Sequence, residues 1–155
     1  MDIKNTPDLG ALIEEFSPET DSRNAIFTAT LLEDELQRLL PTFMPTISDM
    51  LASRIFDDYG PLNSFVAKID MARALDLIDS GTYTDLRAIQ VIRNAFAHPT
   101  ERLTFKSPEI ARRGISLSGW RSGCDLRELF EERAYNTMAA MGIKADALTR
   151  ASEGE

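Results

Sequence analysis

The chain has 155 residues, of which 43% are apolar, and a net charge of −8. This composition is typical of one soluble globular domain, which buries about two thirds of the surface of its unfolded chain. Non-specific DNA binding depends on cations that displace counterions from phosphates, so the acidic balance argues against a general DNA-binding protein. No apolar run approaches the ~20 residues of a membrane-spanning helix, and residues 1–5 do not resemble the start of a secretory signal. Cys124 is the only cysteine, which excludes an intrachain disulfide and favours the reducing cytoplasm.

Apolar residues recur every three or four positions along most of the chain, which is the spacing of helices with one buried face. The clearest stripe lies on a helix that Pro18 opens and Pro41 ends. It consists of Ala25, Ala29, Leu32, Leu36 and Leu39. In chain order, helices are predicted at residues 7–16, 18–40, 46–56, 64–80, 84–97 and 125–141, with a helical turn at 108–113 and one or two turns after Gly142.

Two of these boundaries depend on single residues. Gly81 is expected to stop the fourth helix, and Thr84 and Asp85 are expected to open the next one. Residues 99–124 are predicted to be mostly irregular, with a short extended piece at 103–105. Few segments alternate with a period of two, so the pattern predicts an all-α fold, a single-domain bundle of six to seven helices. We expect this domain to span residues 1–150 and the tail 151–155 to fray.

Charge is distributed unevenly along the chain. Residues 1–60 carry twelve acids and four bases, whereas residues 87–121 carry seven bases and two acids. The basic stretch is either a solvated arginine-rich surface or a face that binds phosphate or an acidic partner. The candidate binding residues of such a face are Arg87, Arg102, Lys106, Arg112 and Arg113. Close by, Trp120 and Arg121 either stack on a base or a partner side chain or cover the end of the bundle.

The only histidine of the chain, His98, follows Arg93 by five residues. Arg93 is a permanent cation and His98 can exchange a proton near neutral pH. Together they are a minimal set of groups for acting on a phosphodiester without a metal. On a straight helix their side chains would point about 140° apart. Pro99 disfavours the helical conformation at His98, so we expect the helix to end there and His98 to be free to turn toward Arg93.

Other chemistry finds little support in the sequence. One histidine and one cysteine cannot form the usual Cys/His zinc site, so no metal is predicted. The glycines match neither a P-loop nor a dinucleotide-binding motif, so no cofactor is predicted. Nothing in the sequence brings Cys124 and His98 together as a nucleophilic pair.

Two resemblances to known families involve the Arg93–His98 segment. Arg93-Asn94-x-x-x-His98, at the end of a late helix in a small helical protein, resembles the signature of the HEPN superfamily (higher eukaryote and prokaryote nucleotide-binding). A longer resemblance, over residues 20–113, is to the mannitol operon repressor family. Its motifs are Tyr59-Gly60-Pro61-Leu62-Asn63-Ser64-Phe65, Lys68-Ile69-Asp70, Ala74-Leu75, Ile92-Arg93-Asn94-Ala95-Phe96-Ala97-His98, Leu103-Thr104-Phe105 and Pro108-x-Ile110, together with a first long helix at Arg23–Leu40.

The resemblance to the repressor family implies a HEPN-like bundle and a cytoplasmic bacterial regulator of sugar-alcohol uptake genes. Members of that family lack a recognisable DNA-reading helix and are thought to act through other proteins. The resemblance therefore implies a protein partner and argues against direct DNA binding. We expect a homodimer and no membrane association.

The resemblance to HEPN ribonucleases implies a different activity, metal-independent RNA cleavage at a site built from two Arg/His pairs across a dimer. In that alternative, His98 is the general acid/base at the 2′-hydroxyl or the leaving oxygen. Arg93 stabilises the phosphate in the transition state and Asn94 positions it. RNA is then a possible partner.

Three interpretations of Arg93 and His98 are therefore open. In the first, Arg93 pairs with an acid such as Asp70 or Glu33, and His98 caps the helix end. In the second, both belong to a basic face that docks an acidic partner. In the third, both are catalytic.

Overall fold

Six α-helices and one 3-10 helix are found in residues 18–97 and 102–154, which are the residues that this computed structural model describes. They form a bundle without a strand in those ranges, which confirms the predicted all-α class. No helix in the same ranges is long and apolar enough to cross a membrane. The helix predicted at 7–16 lies outside the described residues. The helices are α1 (Pro18–Leu39), the 3-10 helix (Leu40–Phe43), α2 (Asp49–Phe56), α3 (Phe65–Ala74), α4 (Ser80–Ala97), α5 (Pro108–Gly114) and α6 (Leu126–Glu153).

Helix α1 packs against both α4 and α6. Its predicted apolar stripe is at most 2% exposed. At the start of α1, Asp21 Oδ1 lies 3.8 Å from Arg127 Nε of α6. Near its end, a hydrogen bond from Arg38 to Glu35 raises the pKa of Arg38, and the charge of Asp146 on α6 adds to this effect. Because the starts of the two helices meet and their later parts also meet, α1 and α6 run parallel.

Helices α3 and α4 form an antiparallel hairpin. Arg93, near the end of α4, lies over the ring of Phe65 at the start of α3. Near the other end of the hairpin, the Tyr83 hydroxyl of α4 donates a hydrogen bond to Asp70 of α3 at 3.0 Å. This bond to a carboxylate raises the pKa of Tyr83. The hairpin therefore places the end of α4 beside the start of α3.

The start of α4 differs from the predicted one. The helix begins a full turn before Thr84, because the Asp79 carboxylate accepts a hydrogen bond from the Thr82 amide at 2.7 Å and so caps the first turn. Gly81 lies inside the helix instead of ending α3. Asp85, predicted to open the helix, is instead a buried residue within it.

We expect Asp79→Ala to destabilise the fold by about 1 kcal/mol near neutral pH, the usual effect of losing an N-cap. The hydrogen bond from the Thr82 amide lowers the pKa of Asp79, so the folded state binds this proton more weakly than the unfolded state. The cap therefore stabilises the fold at pH values above the pKa that Asp79 has in the unfolded chain. This contribution is lost as the pH falls through the lower pKa that Asp79 has in the folded protein. Urea unfolding should show a difference in the free energy of unfolding between wild type and variant at neutral pH. This difference should disappear at acidic pH. Asp34→Ala, which removes an exposed acid from α1, is the control; a difference that persists in acid would contradict the prediction.

Helix α6 is longer than the segment predicted at 125–141. It continues through Gly142 to Glu153. The apolar residues that continue its inner face against the core are Met141, Ala145 and Leu148. Residues 151–153 of the predicted frayed tail form its last turn, and Glu155 lies outside the described residues. Burial of these apolar residues stabilises a helix that a single glycine weakens by about 1 kcal/mol.

Three phenylalanines fix the irregular segment after α4 to the core. Phe105 lies between Phe96 of α4 and Phe130 of α6, at ring-centroid distances of 5.1 and 5.2 Å. Leu103 is buried as well, but the piece predicted as extended at 103–105 has no partner strand among the described residues. This packing places residues 104–106 beside the starts of α1 and α6.

Candidate functional site

The predicted catalytic motif begins in the last turns of α4, and the structure describes only part of it. Arg93 is half-buried, its guanidinium carbon lies 5.6 Å from the centroid of the Phe65 ring, and its buried Nε has no hydrogen-bond acceptor among the described residues. Asn94 is exposed. His98 lies outside the described residues, so its convergence on Arg93 stays a prediction.

The two carboxylates considered as partners of Arg93 bind other residues. Glu33 accepts a hydrogen bond from Lys68 Nζ at 2.9 Å, and Asp70 accepts one from the Tyr83 hydroxyl at 3.0 Å. No ion pair within the described residues includes Arg93. The guanidinium is therefore held over an aromatic ring, at a distance typical of a cation–π contact, and not by a carboxylate.

The five residues predicted to form a basic face have two kinds of surroundings. Three of them are paired with acids: Arg87 with Asp70 at 4.0 Å, Arg102 with Glu19 at 3.1 Å and Arg113 with Glu109 at 3.4 Å. The other two, Lys106 and Arg112, line one groove, which lies between residues 104–106, α5 and the start of α6. The structure thus brings two of the five together and places the remaining three beside carboxylates.

The groove is a cavity of about 720 Å³ bounded by residues 104–106, α5, the loop 115–125 and the start of α6. Its apolar lining includes Phe105, Ile115, Trp120 and Leu126. Ile115 and Trp120 are 54% and 40% exposed, which is high for side chains of this size. A volume of this order is typical of ligand-binding clefts, about 300–1,000 Å³.

Two buried carboxylates hold the irregular segments around the groove. Asp21 of α1 accepts a hydrogen bond from the Phe105 amide at 3.0 Å, and Asp85 of α4 accepts one from the Ser118 amide at 2.7 Å. Asp85 Oδ2 also lies 3.7 Å from Arg133 of α6. Buried charges without partners are costly, so these contacts fix both segments to helices of the core.

The loop that carries Trp120 turns at two glycines. Gly119 has a φ of +81° and Gly123 a φ of +82°, in the left-handed region that a side chain disfavours. Together with the Asp85–Ser118 hydrogen bond, these turns hold Trp120 at the edge of the groove. The glycines that interrupt the helical pattern in the sequence therefore shape this site.

Positive charge predominates at the groove. Three lining cations are exposed and have no ion-pair partner within the part of the chain that the structure describes. These are Lys106, Arg112 and Arg121. A fourth, Arg127, lies close to Asp21 and Glu131. The carboxylates in the lining, Asp21 and Asp125, each accept a hydrogen bond from a backbone amide, and neither forms an ion pair with the three exposed cations.

Four residues of this site are candidates from the sequence alone, namely Lys106, Arg112, Trp120 and Arg121, but the sequence does not show that they converge. Nor does it show that Phe105 and Ile115 contribute to the lining. Ile115 follows Gly114 and belongs to no helical stripe, which is the one signal in the sequence that it stays exposed.

Comparison with known proteins finds no matching family model, curated protein or solved structure. The resemblance to the mannitol operon repressor family and the HEPN-like arrangement of helices therefore stay predictions. Among the described residues, no group of three or more histidine, cysteine, aspartate or glutamate side chains is placed to hold a metal ion.

Proposed function

We propose that the protein is a cytoplasmic bacterial regulator that acts in transcriptional control through protein contacts, as the resemblance to the mannitol operon repressor family implies. The observation that carries this proposal is the groove. Exposed apolar side chains surrounded by unpaired cations are typical of a surface where another protein docks. The same resemblance makes a homodimer the expected form.

The distribution of positive charge supports protein contacts over DNA reading. Affinity for duplex DNA requires many cations that contact phosphates along the helix. In this protein, Arg87, Arg102 and Arg113 lie beside carboxylates, and the net charge of the chain is −8. The exposed cations of the groove are confined to one short surface beside Trp120.

A transcription experiment with a parallel DNA-binding measurement tests this proposal. We expect deletion of the gene to raise transcripts for sugar-alcohol uptake several-fold without inducer, and restoration of the gene to reverse this. Purified protein should not retard the promoter DNA at physiological salt. Arg112→Glu with Arg121→Glu should abolish repression, whereas Arg54→Glu, a charge reversal at an exposed residue of α2, should not. Unchanged transcripts, or a sequence-specific complex of the protein alone with DNA, would refute the proposal.

One observation favours a second candidate function, a metal-independent ribonuclease. Arg93 has no carboxylate partner within the described residues, and its buried Nε has no acceptor. A cation that faces an aromatic ring and has no carboxylate partner in the described ranges is suited to stabilise a phosphate in the transition state. His98 would then act as general acid/base, and the exposed Asn94 would position the phosphate.

An RNA cleavage assay in chelator separates the two candidates. The substrates are mixed structured and single-stranded RNAs, and the regulator proposal expects no cleavage of either. The ribonuclease candidate expects cleavage that is lost in His98→Ala and Arg93→Ala and kept in Arg54→Glu. Absence of cleavage under several ionic conditions would exclude the ribonuclease.

A further inference from the structure

The groove exposes apolar and cationic side chains beside one another. Ile115 and Trp120 present apolar area to solvent at its edge, 54% and 40% exposed. Tryptophan is among the residues that contribute most to protein interfaces, because it buries a large area and loses little conformational freedom. Water would be displaced from both side chains by one apolar side chain of a partner.

The cations around these residues define the charge of that partner. Lys106, Arg112 and Arg121 lie in the lining without an ion pair in the described ranges, on a chain whose net charge is −8. A local excess of positive charge on an acidic protein attracts acidic groups to this site and repels them elsewhere. The complementary ligand therefore carries carboxylates close to an apolar residue.

The carboxylates of the lining favour a peptide over a nucleic acid. Asp21 and Asp125 are held in place by backbone amides and cannot turn away from the groove without losing those bonds. Asp125, which is exposed, would repel a phosphate backbone that carries a charge at every nucleotide, whereas a peptide can place a neutral side chain there. Leu126 extends the apolar lining beside these residues, which suits alternating apolar and acidic side chains.

The groove is also fixed before binding. The Asp85–Ser118 hydrogen bond and the turns at Gly119 and Gly123 hold the loop that carries Trp120. The Asp21–Phe105 hydrogen bond holds the opposite segment. A site that needs little ordering retains more of its contact energy as affinity.

We infer that the groove binds an acidic, amphipathic peptide segment of a partner protein, with an apolar side chain packed on Trp120 and Ile115 and carboxylates at Lys106, Arg112 and Arg121. This inference rests on the proposed function, because it names the chemistry of the partner through which the regulator acts.

Selection from a peptide library tests the inference on the full chain. Random peptides of about 12 residues, long enough to cross a groove of this kind, are displayed and selected on immobilised protein. We expect enriched sequences to combine aspartate or glutamate with leucine, phenylalanine or tryptophan. No enrichment, or enrichment of basic sequences, would overturn the inference.

Variants then assign the selected peptide to the groove. With a fluorescein-labelled copy of the most enriched peptide, Trp120→Ala should weaken binding at least about tenfold, as loss of a central aromatic contact does. Arg112→Glu and Arg121→Glu should each weaken it at least about tenfold and reduce its dependence on salt. The matched controls are Tyr135→Ala, an exposed aromatic residue of α6 outside the lining, and Arg54→Glu.

Two outcomes of these measurements would overturn the inference. Equal binding by wild type, Trp120→Ala and the charge reversals would overturn it. Single-stranded RNA of similar length is added as a competitor. If it displaces the peptide and its own binding depends on Arg112, the inference is overturned in favour of a nucleic acid. Circular dichroism checks that each variant is folded, and the exposed position of Arg121 keeps the test valid if Trp120→Ala loosens the loop.

The library and transcription experiments fail independently. Repression that persists in the groove variants, with no peptide selected, would refute the groove as the contact surface and the peptide site with it, whereas repression that is lost on deletion of the gene would still support a regulator. A selected peptide that binds the groove, with transcripts unchanged on deletion of the gene, would refute the regulator proposal alone.

Discussion

Replacement of Gly60 by alanine should destabilise the fold by about 3 kcal/mol, the upper end of the usual effect of overpacking. A Cβ at this position would collide with the carbonyl oxygen of Ile55 and lie 2.6 Å from that of Arg54. Both obstacles are backbone atoms of α2 and cannot rotate away. The chain returns onto α2 here, since the Leu62 amide donates a hydrogen bond to the Ile55 carbonyl at 2.9 Å. The extra methyl must therefore displace the link to α3.

Gly142→Ala is the matched control for Gly60→Ala, because nothing lies within 4 Å of the Cβ that it adds inside α6. Alanine favours a helix over glycine by about 1 kcal/mol, so this variant should be more stable than wild type. Urea unfolding of the two variants should shift the midpoint of the transition in opposite directions from that of wild type. The dependence of the unfolding free energy on urea concentration should be similar in both. Equal destabilisation by both, or a neutral Gly60→Ala, would contradict the close approach at Gly60.

Asp85→Ala should destabilise the fold about as much as Gly60→Ala, by about 3 kcal/mol. The reason is that the charged partner of Asp85, Arg133, would remain poorly compensated. Asp85 is 4% exposed, accepts a hydrogen bond from the Ser118 amide and lies 3.7 Å from the Arg133 guanidinium. Arg133 is mostly buried and also lies 3.2 Å from the Glu132 carboxylate, but Glu132 is largely exposed and so compensates the guanidinium less well than the buried Asp85 does. The loop with Trp120 should become more mobile in the same variant.

A set of related variants separates the two roles of Asp85. Asp85→Asn keeps an oxygen that can accept from the Ser118 amide but removes the charge that faces Arg133, so it should be less destabilised than Asp85→Ala. Arg133→Met combined with Asp85→Ala should recover part of the loss, which a double-mutant cycle measures. Asp34→Ala, an exposed acid on α1, is the control and should stay close to wild type. Additive effects of the two substitutions would show that Asp85 and Arg133 do not interact.

The long helices could be predicted from the sequence because their apolar spacing records burial directly. All five residues of the stripe on α1 are buried, and α1 ends at Leu39, just before the predicted stop at Pro41. The start of α4 could not be placed as well, because Asp79 and the pair Thr84 and Asp85 are all suitable caps by residue type. Only the three-dimensional contact between Asp85 and Ser118 shows which acid lies inside the helix.

The predicted end of α6, just before Gly142, is too early for a related reason. A glycine in an apolar pattern signals either a helix end or a tolerated weak position. At Gly142 the packing of residues on both sides decides in favour of the helix, as the buried Met141 and partly buried Leu148 show. Burial against another helix is a tertiary effect that local propensity does not contain.

The groove could not be predicted for a different reason. Its cations, Lys106, Arg112 and Arg121, come from three separate segments, and their convergence depends on how the irregular chain after α4 packs. The same sequence stretch contains Arg102 and Arg113, which look equivalent but lie beside carboxylates. Sequence shows which charges are present, whereas only packing shows which of them remain unpaired.

The chain contains one tryptophan, Trp120, and it stands at the edge of the groove. Indole emission from the unmodified protein therefore comes from this one position, without interference from a second tryptophan in the core. Its wavelength depends on contact with water, so occupancy of the groove, loosening of its loop and global unfolding each change the same optical signal in their own way. The residue that we expect to anchor a partner is thus also a built-in spectroscopic reporter of that partner's arrival.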